Sequence, residues 1–270
     1  MLLNSVIIIL REVLEAAILV SVMLSLSHYF NISLSWLKWA VGLGVGFALL
    51  YADNIASISN WFEGVGQEVV NASLQYLIYL LLAGFCIRFI NKPSLIPLSL
   101  QTTRWVIAIS ISLSMVREFS EIFIYLHVFP ADSPQFTGVM TGAFLGVGIG
   151  LSIGIILYHF LNYLSDKWSF RMTIVILSFI AAGMLSQATQ LLIQADWLPS
   201  QHPLWDTSAW IFERSVVGQL LYAVFGYEAT PSLMQVIFYF VGLFIILFFI
   251  IKESLLNRRE HQINKPNQFL

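Results

Sequence analysis

Seven apolar runs, each long enough to span a bilayer, fill most of the chain: about residues 3–28, 36–54, 69–91, 104–128, 136–161, 171–194 and 232–252. About 20 apolar residues in a helix cross the roughly 30 Å of hydrocarbon. Only helices and closed barrels satisfy their backbone polar groups there. The spacing therefore predicts an all-α polytopic membrane protein with seven transmembrane helices. Composition agrees, since 58% of the 270 residues are hydrophobic and only 10% charged, where a soluble domain carries about 25%. Met1 to Ser5 lacks a basic segment, so the first run reads as an uncleaved span. The single cysteine, Cys86, excludes an internal disulfide and a multi-thiolate metal site. No nucleic-acid partner is expected; the expected surroundings are a lipid bilayer.

Basic residues in the connections set the orientation. With the N-terminus outside, the inner side collects Lys38, Arg88, Lys92, Arg104, Lys167, Arg171, Lys252, Arg258, Arg259 and Lys265, while the outer side holds Arg214 alone. That bias places the N-terminus outside and the C-terminus in the cytoplasm. The outer connections also gather Asp53, Glu63, Glu68, Asp132, Asp196, Asp206, Glu213 and Glu228, an acidic rim that raises the local concentration of cations.

Two of the runs are interrupted by charge in the same spelling, Arg11-Glu12-Val13-Leu14-Glu15 and Arg117-Glu118-Phe119-Ser120-Glu121. On a helix, positions three and four apart share a face, so each motif makes one ionic side on a greasy helix. Each such residue at the membrane centre costs roughly 2.5–3.5 kcal/mol, so three cost on the order of 8–10 kcal/mol before pairing. Charge carried at that cost faces a bundle interior or aqueous path and acts there.

The motifs begin two related halves. Gly42-Leu43-Gly44-Val45-Gly46 follows the first motif at nearly the distance at which Gly146-Val147-Gly148-Ile149-Gly150 follows the second, and Leu82-Ala83-Gly84 echoes Ala181-Ala182-Gly183. Three spans separate the motifs, so the halves run in opposite directions, as an inverted 3+3 repeat plus a seventh helix. Transporters place a midplane site at such a repeat interface. The expected organisation is one transmembrane domain over 1–254, with repeat one at 1–92, repeat two at 104–195, an outer loop at 196–231 and the last span at 232–252. A poorly ordered cytoplasmic tail takes 255–270. The glycines precede no βαβ unit, so they do not form a nucleotide loop. Gly138, Gly142, Gly146, Gly150 and Gly154 instead form a small-residue stripe for close helix contact, serving an internal neighbour or a second copy equally well, and Gly42 and Gly46 are expected to do the same.

If the motif helices face each other, four carboxylates meet two guanidiniums, a net charge of −2 that suits a di- or trivalent cation. Glu12, Glu15, Glu118 and Glu121 are the candidate metal ligands, with Arg11 and Arg117 as supports that hold carboxylates in place. Carboxylate oxygens are hard ligands and no Cys, His or Met cluster accompanies them, so soft-metal ligation is not expected. Close carboxylates repel, which couples cation binding to proton release. The competing reading is an interhelical salt-bridge knot that only fixes packing, or a non-transporting membrane subunit assembled through it.

At these residues the chain resembles the high-affinity iron permease family, the iron/lead transporter group with fungal and bacterial oxidase-dependent members. The family's mark is a pair of R-E-x-x-E motifs in the first and fourth of seven spans. Similarity extends through Ala181-Ala182-Gly183-Met184-Leu185-Ser186-Gln187, Leu204-Trp205-Asp206-Thr207-Ser208, Gly226-Tyr227 and Pro231. Gly-Leu, usual between the family's two Glu residues, is met here by Val13-Leu14 and Phe119-Ser120. The resemblance implies iron import across a cell membrane, the bacterial inner membrane, with Fe2+ or Fe3+ as transported substrate and no permanently bound cofactor. It implies a partner such as a separate ferroxidase or peroxidase, or a periplasmic iron-binding protein, and no large extracytoplasmic domain is expected in the chain itself. Mn(II) and Pb(II) remain alternative cations. An enzyme or electron-transfer role is disfavoured by the lack of H-E-x-x-H, G-x-S-x-G and haem-spaced histidines.

Other polar residues are candidates for the path. Gln187, Gln190 and Gln194 recur near helical spacing and either line it or hydrogen-bond between helices. Asp53, Glu68, His127 and Asp132 lie at outer span ends, where a loading point competes with a merely solvated rim. In the outer loop, Asp206-Thr207-Ser208 reads as a cap for a short interfacial helix through Trp210, Ile211, Val217, Leu220, Leu221 and Val224. Gly226 ends it, and its expected role is to cover the outer face without chemistry. Trp36, Trp39, Trp105, Trp168 and Trp197 fall near span ends as an anchoring belt.

Overall fold

The computed structural model describes residues 1–91 and 100–263, with no strand among them beyond an isolated bridge between Pro203 and Ser232. Among the described residues nine α-helices follow in order: α1 Leu2–Tyr29, α2 Ser35–Asp53, α3 Ile55–Ser59, α4 Gly66–Asn91, α5 Leu100–His127, α6 Phe136–Tyr163, α7 Asp166–Gln194, α8 Val216–Phe225 and α9 Leu233–Ile263, with a 3₁₀ turn at Trp61–Gly64. The long helices coincide with the apolar runs to within a few residues at most ends. The largest difference is at the C-terminus, where α9 runs to Ile263 past the expected end at 252. Lys92, Lys265 and the tail from 264 to 270 lie outside the described residues.

Five helices, α2, α4, α6, α7 and α9, are long and apolar enough to cross a membrane, which makes this a multi-pass membrane protein. α1 and α5, the other two long helices, carry the charged motifs. Phe144, Ile155 and Ile156 of α6 and Phe240, Phe244 and Phe248 of α9 are exposed. Such contiguous apolar faces are stable only against lipid or protein.

Packing is pairwise: α1 lies most extensively on α6, α2 on α5, and α4 on α7, with α9 covering α7 and α4. The glycine stripe of α6 lies against α1. A Cβ at Gly142 would sit 2.6 Å from the Leu2 carbonyl oxygen, at Gly146 2.8 Å from that of Val6, and at Gly150 2.7 Å from Val13 Cγ1. No side chain fits in those gaps, so these positions set the distance between the helices. In α2 a Cβ at the expected contact residues, Gly42 and Gly46, would meet nothing within 4 Å, and Gly44 between them makes the contact instead: a Cβ there would sit 2.6 Å from Met115 Cβ and 3.3 Å from the Ser112 carbonyl oxygen of α5. The two flanking glycines turn outward. A Cβ at Gly146 would likewise meet Ile9 Cβ at 3.1 Å beside the Val6 carbonyl oxygen. Ile9 and Met115 are 106 residues apart, as are Val6 and Ser112, and so are Arg11 and Arg117.

The outer loop folds differently from expectation. Asp206 accepts the Ser208 amide at 2.8 Å in a local turn and caps no helix. α8 starts later, where the Ser215 side chain accepts the Gly218 amide at 3.0 Å. It ends as predicted at Gly226, whose φ of 65° is left-handed and suits glycine. Ser232 and Gln235 form a reciprocal capping box at the start of α9, each accepting the other's amide at 3.3 and 2.8 Å.

Candidate metal centre

The motif helices cross antiparallel and their charged faces meet. Ser5 and Tyr125 hydroxyls lie 2.7 Å apart, while farther along α1 Glu15 reaches Arg117 of α5. One oxygen from each of Glu12, Glu15 and Glu118 lies within 4.8 Å of the other two, and all three residues are buried. Arg117, 3% exposed, sits among them: its Nη1 donates to Glu15 Oε2 at 3.0 Å and to Glu118 Oε1 at 2.7 Å. Arg11 stays at the edge, with Nε 3.7 Å from an oxygen of each of Glu12 and Glu15. Glu121, the fourth expected ligand, stands outside the trio. It is partly buried, 3.6 Å from Arg117 Nε, and accepts from Asn71 Nδ2 at 3.5 Å, while Asn71 Oδ1 accepts from Tyr51 at 3.0 Å.

Pairing does not exhaust the carboxylates. Glu12 Oε2, Glu15 Oε1 and Glu118 Oε2, one oxygen from each member, are buried and accept no hydrogen bond from an N–H or hydroxyl donor, while the Glu12 and Glu118 carboxyls lie close enough to share a proton. Buried polar atoms are rarely left without such a donor, because each lost partner costs roughly 1–3 kcal/mol. Three buried carboxylates that approach within 4.8 Å through one oxygen each, and that each keep an oxygen without a donor, have the chemistry of a hard-cation site.

A polar cavity of about 600 Å³ leads to the cluster from the end where α4 starts and α5 and α7 finish. Arg11, Arg117 and Glu121 line its floor, while Glu12, Glu15 and Glu118 lie behind them. Of the sequence-derived path residues, Glu68, Gln187, Gln190 and Gln194 line it. Gln187 also donates to Glu15 Oε2 at 3.4 Å and accepts from Gln75 at 2.7 Å, so it touches both cavity and cluster. Asp53, His127 and Asp132 are exposed and outside the lining.

The outer loop supplies wall residues, of which Glu213 and Glu228 are expected only as part of the acidic rim and Gln219 and Tyr222 carry no signal in the sequence. α8 contributes Gln219 and Tyr222, and the segments flanking it contribute Glu213 and Glu228. Tyr222 accepts from Arg11 Nη2 at 3.1 Å, so α8 is part of the site and not only a cover. Glu228 accepts from Gln190 at 2.9 Å and from Gln235, and burial pushes its carboxyl up to about 7 against the pull of the Gln235 contact, with Glu213 adding to the rise. On α4, Asn71 and Gln75 join Glu68 in the lining. The signal was present there, since Glu68, Asn71 and Gln75 repeat at helical spacing on one face of an apolar helix.

A model of the Iron permease FTR1 family matches residues 2–258. No curated protein and no solved structure matches the chain.

Proposed function

The chain belongs to the Iron permease FTR1 family, and on that footing we propose that it carries iron ions inward through the carboxylate cluster of Glu12, Glu15 and Glu118. The observation that carries this reading is the set of three buried oxygens without an N–H or hydroxyl donor, one per carboxylate. The cation collects in the polar cavity from the outer side, drawn by the acidic rim. Glu121, at the cavity floor beside Arg117, receives it first, and it then exchanges water for the trio's oxygens. Arg117 keeps two of those carboxylates compensated while the site is empty of cargo.

The wider architecture of the proposal is seven spans, built as an inverted 3+3 repeat plus a last helix, with the N-terminus outside. Exchange of two equivalent halves must map each contact onto another. The pairing of α1 on α6 maps onto that of α5 on α2, and α4 on α7 maps onto itself. Gly44 on Met115 and Ser112 maps onto Gly146 on Ile9 and Val6, and these partners on α5 and α1 stand at the 106-residue offset of the two motifs. A separate oxidase or periplasmic iron-binding protein would deliver the ion at the outer mouth.

Iron uptake into proteoliposomes holding the purified protein tests the assignment. Glu12→Gln and Glu118→Gln should each abolish uptake while the protein stays folded. A salt-bridge knot with no transport role predicts uptake at wild-type rate in both variants, and that outcome would sink the proposal.

A further inference from the structure

Arg11 and Arg117 hold the same place in two motifs of the same spelling, yet they treat their carboxylates differently. Arg117 pairs directly with Glu15 and Glu118, at 3.0 and 2.7 Å. Arg11 Nε stops 3.7 Å from Glu12 and from Glu15, beyond hydrogen-bond reach, as Arg117 Nε stops 3.6 Å from Glu121; the difference is at the Nη atoms, since Arg117 Nη1 donates to two carboxylates while Arg11 Nη2 donates to the Tyr222 hydroxyl. An arginine beside two carboxylates ordinarily closes to a direct, forked pair.

Tyr222 is what holds Arg11 back. Its hydroxyl accepts from Arg11 Nη2 at 3.1 Å, and the guanidinium carbon lies 4.4 Å from its ring centroid, so the ring face and the hydroxyl act on the same cation. The tyrosine is fixed in turn. Gly226, ending α8, rests on Gly183 of α7, where a Cβ would come within 3.1 Å of the Gly226 Cα, and Gln219 of α8 donates to the Glu213 carbonyl oxygen at 2.7 Å.

We propose that Tyr222 is a positioning residue of the metal site: it draws Arg11 off Glu12 and Glu15 and so leaves their oxygens free for the cation. Without it, Arg11 closes onto both carboxylates and competes with the incoming ion. The role rests on the reading of the trio as the iron site.

Ferrous iron alone, supplied anaerobically to proteoliposomes, is the probe. For Tyr222→Phe, KM rises about ten- to a hundredfold, the loss expected from one hydrogen bond to a charged group, while Vmax stays near wild type. Tyr222→Leu, which removes the ring face as well, raises KM further. Because the effect runs through Arg11, adding Tyr222→Phe to an Arg11→Gln variant changes KM no further. An unchanged KM in Tyr222→Phe overturns the role, as does an equal rise in the Arg11→Gln background. A fall confined to Vmax with a lowered thermal midpoint also overturns it, since that marks a structural residue only. Glu12→Gln serves as the control: full uptake there defeats the reading of the trio, and the role of Tyr222 with it, whereas abolished uptake beside an indifferent Tyr222→Phe defeats the role alone.

Discussion

Replacing Arg117 by alanine should cost far more stability than replacing Arg11, although the two occupy equivalent places in the motifs. Arg117 is 3% exposed and bridges Glu15 at 3.0 Å, Glu118 at 2.7 Å and Glu121 at 3.6 Å. Removing it leaves the buried Glu118 without a charged partner among the described residues and Glu15 with only the 3.7 Å contact of Arg11, a loss of about 3–5 kcal/mol. Arg11 has a side chain 39% exposed and contacts at 3.7 Å, so its ion pairs contribute about 0–1 kcal/mol. At roughly 2–4 °C per kcal/mol for a chain of this size, the Arg117→Ala midpoint falls by about 6–20 °C, while the ion pairs of Arg11 account for at most about 4 °C of the Arg11→Ala shift. Tryptophan fluorescence of the detergent-solubilised protein reads both. Adding Glu118→Gln to Arg117→Ala removes one of the stranded charges and should recover about half of the loss. Equal shifts for the two arginines, or no recovery in the double variant, would refute the burial and charge balance described for the cluster.

Helix spacing gives a second pair of measurements. Gly146→Ala places a methyl group 2.8 Å from the Val6 carbonyl oxygen and should lower the thermal midpoint, an overpacking cost of about 1–3 kcal/mol, while Gly148→Ala meets nothing within 4 Å and should leave the midpoint unchanged or raise it. The same contrast is expected between Gly44→Ala and Gly42→Ala. Glu228 gives a pH dependence. Its carboxyl moves from the ordinary 4.5 up to about 7, chiefly through burial, so the folded protein holds a proton there that the unfolded chain has released. The stability it contributes is fully present below 4.5 and is lost as pH rises through 7. The thermal midpoint should therefore fall between about pH 5 and pH 8, and Glu228→Gln should flatten that part of the profile.

Much of this was legible in the chain because membranes leave few choices. A 20-residue apolar run has one way to bury its backbone groups, and charge inside such a run must find partners, which is why Glu12, Glu15, Glu118 and Arg117 could be placed together from spelling alone. Which residues on a helix touch was less legible. Gly42, Gly44 and Gly46 are the same residue two apart, and hydropathy does not say which of them faces α5 when the helix is apolar all round. Glu121 shows the same limit on an angular scale: it shares a face with Glu118, but one further turn of α5 carries it out of the trio to Asn71 and the cavity. Asp53, His127 and Asp132 were grouped with Glu68 by depth, and depth does not distinguish the cavity side of a helix end from its open side.

The outer loop was the hardest segment to read, because its contribution depends on elements far away in sequence. Nothing near Tyr222 announces a partner 211 residues earlier. Its position follows from Gly226 closing α8 in a left-handed turn directly over Gly183, a close approach that only two glycines allow. That contact also explains why two motifs with the same charged residues at the same spacing build unequal environments. In the proposed repeat, α8 has no counterpart in the other half. It packs on α1 and α7, so it reaches Arg11 but leaves Arg117 to its carboxylates. The asymmetry of the cluster thus originates outside the repeated helices. Were Arg11 paired as closely as Arg117, it would occupy Glu12 Oε1 and Glu15 Oε1, the oxygens it faces, and leave the cation fewer of the trio's oxygens.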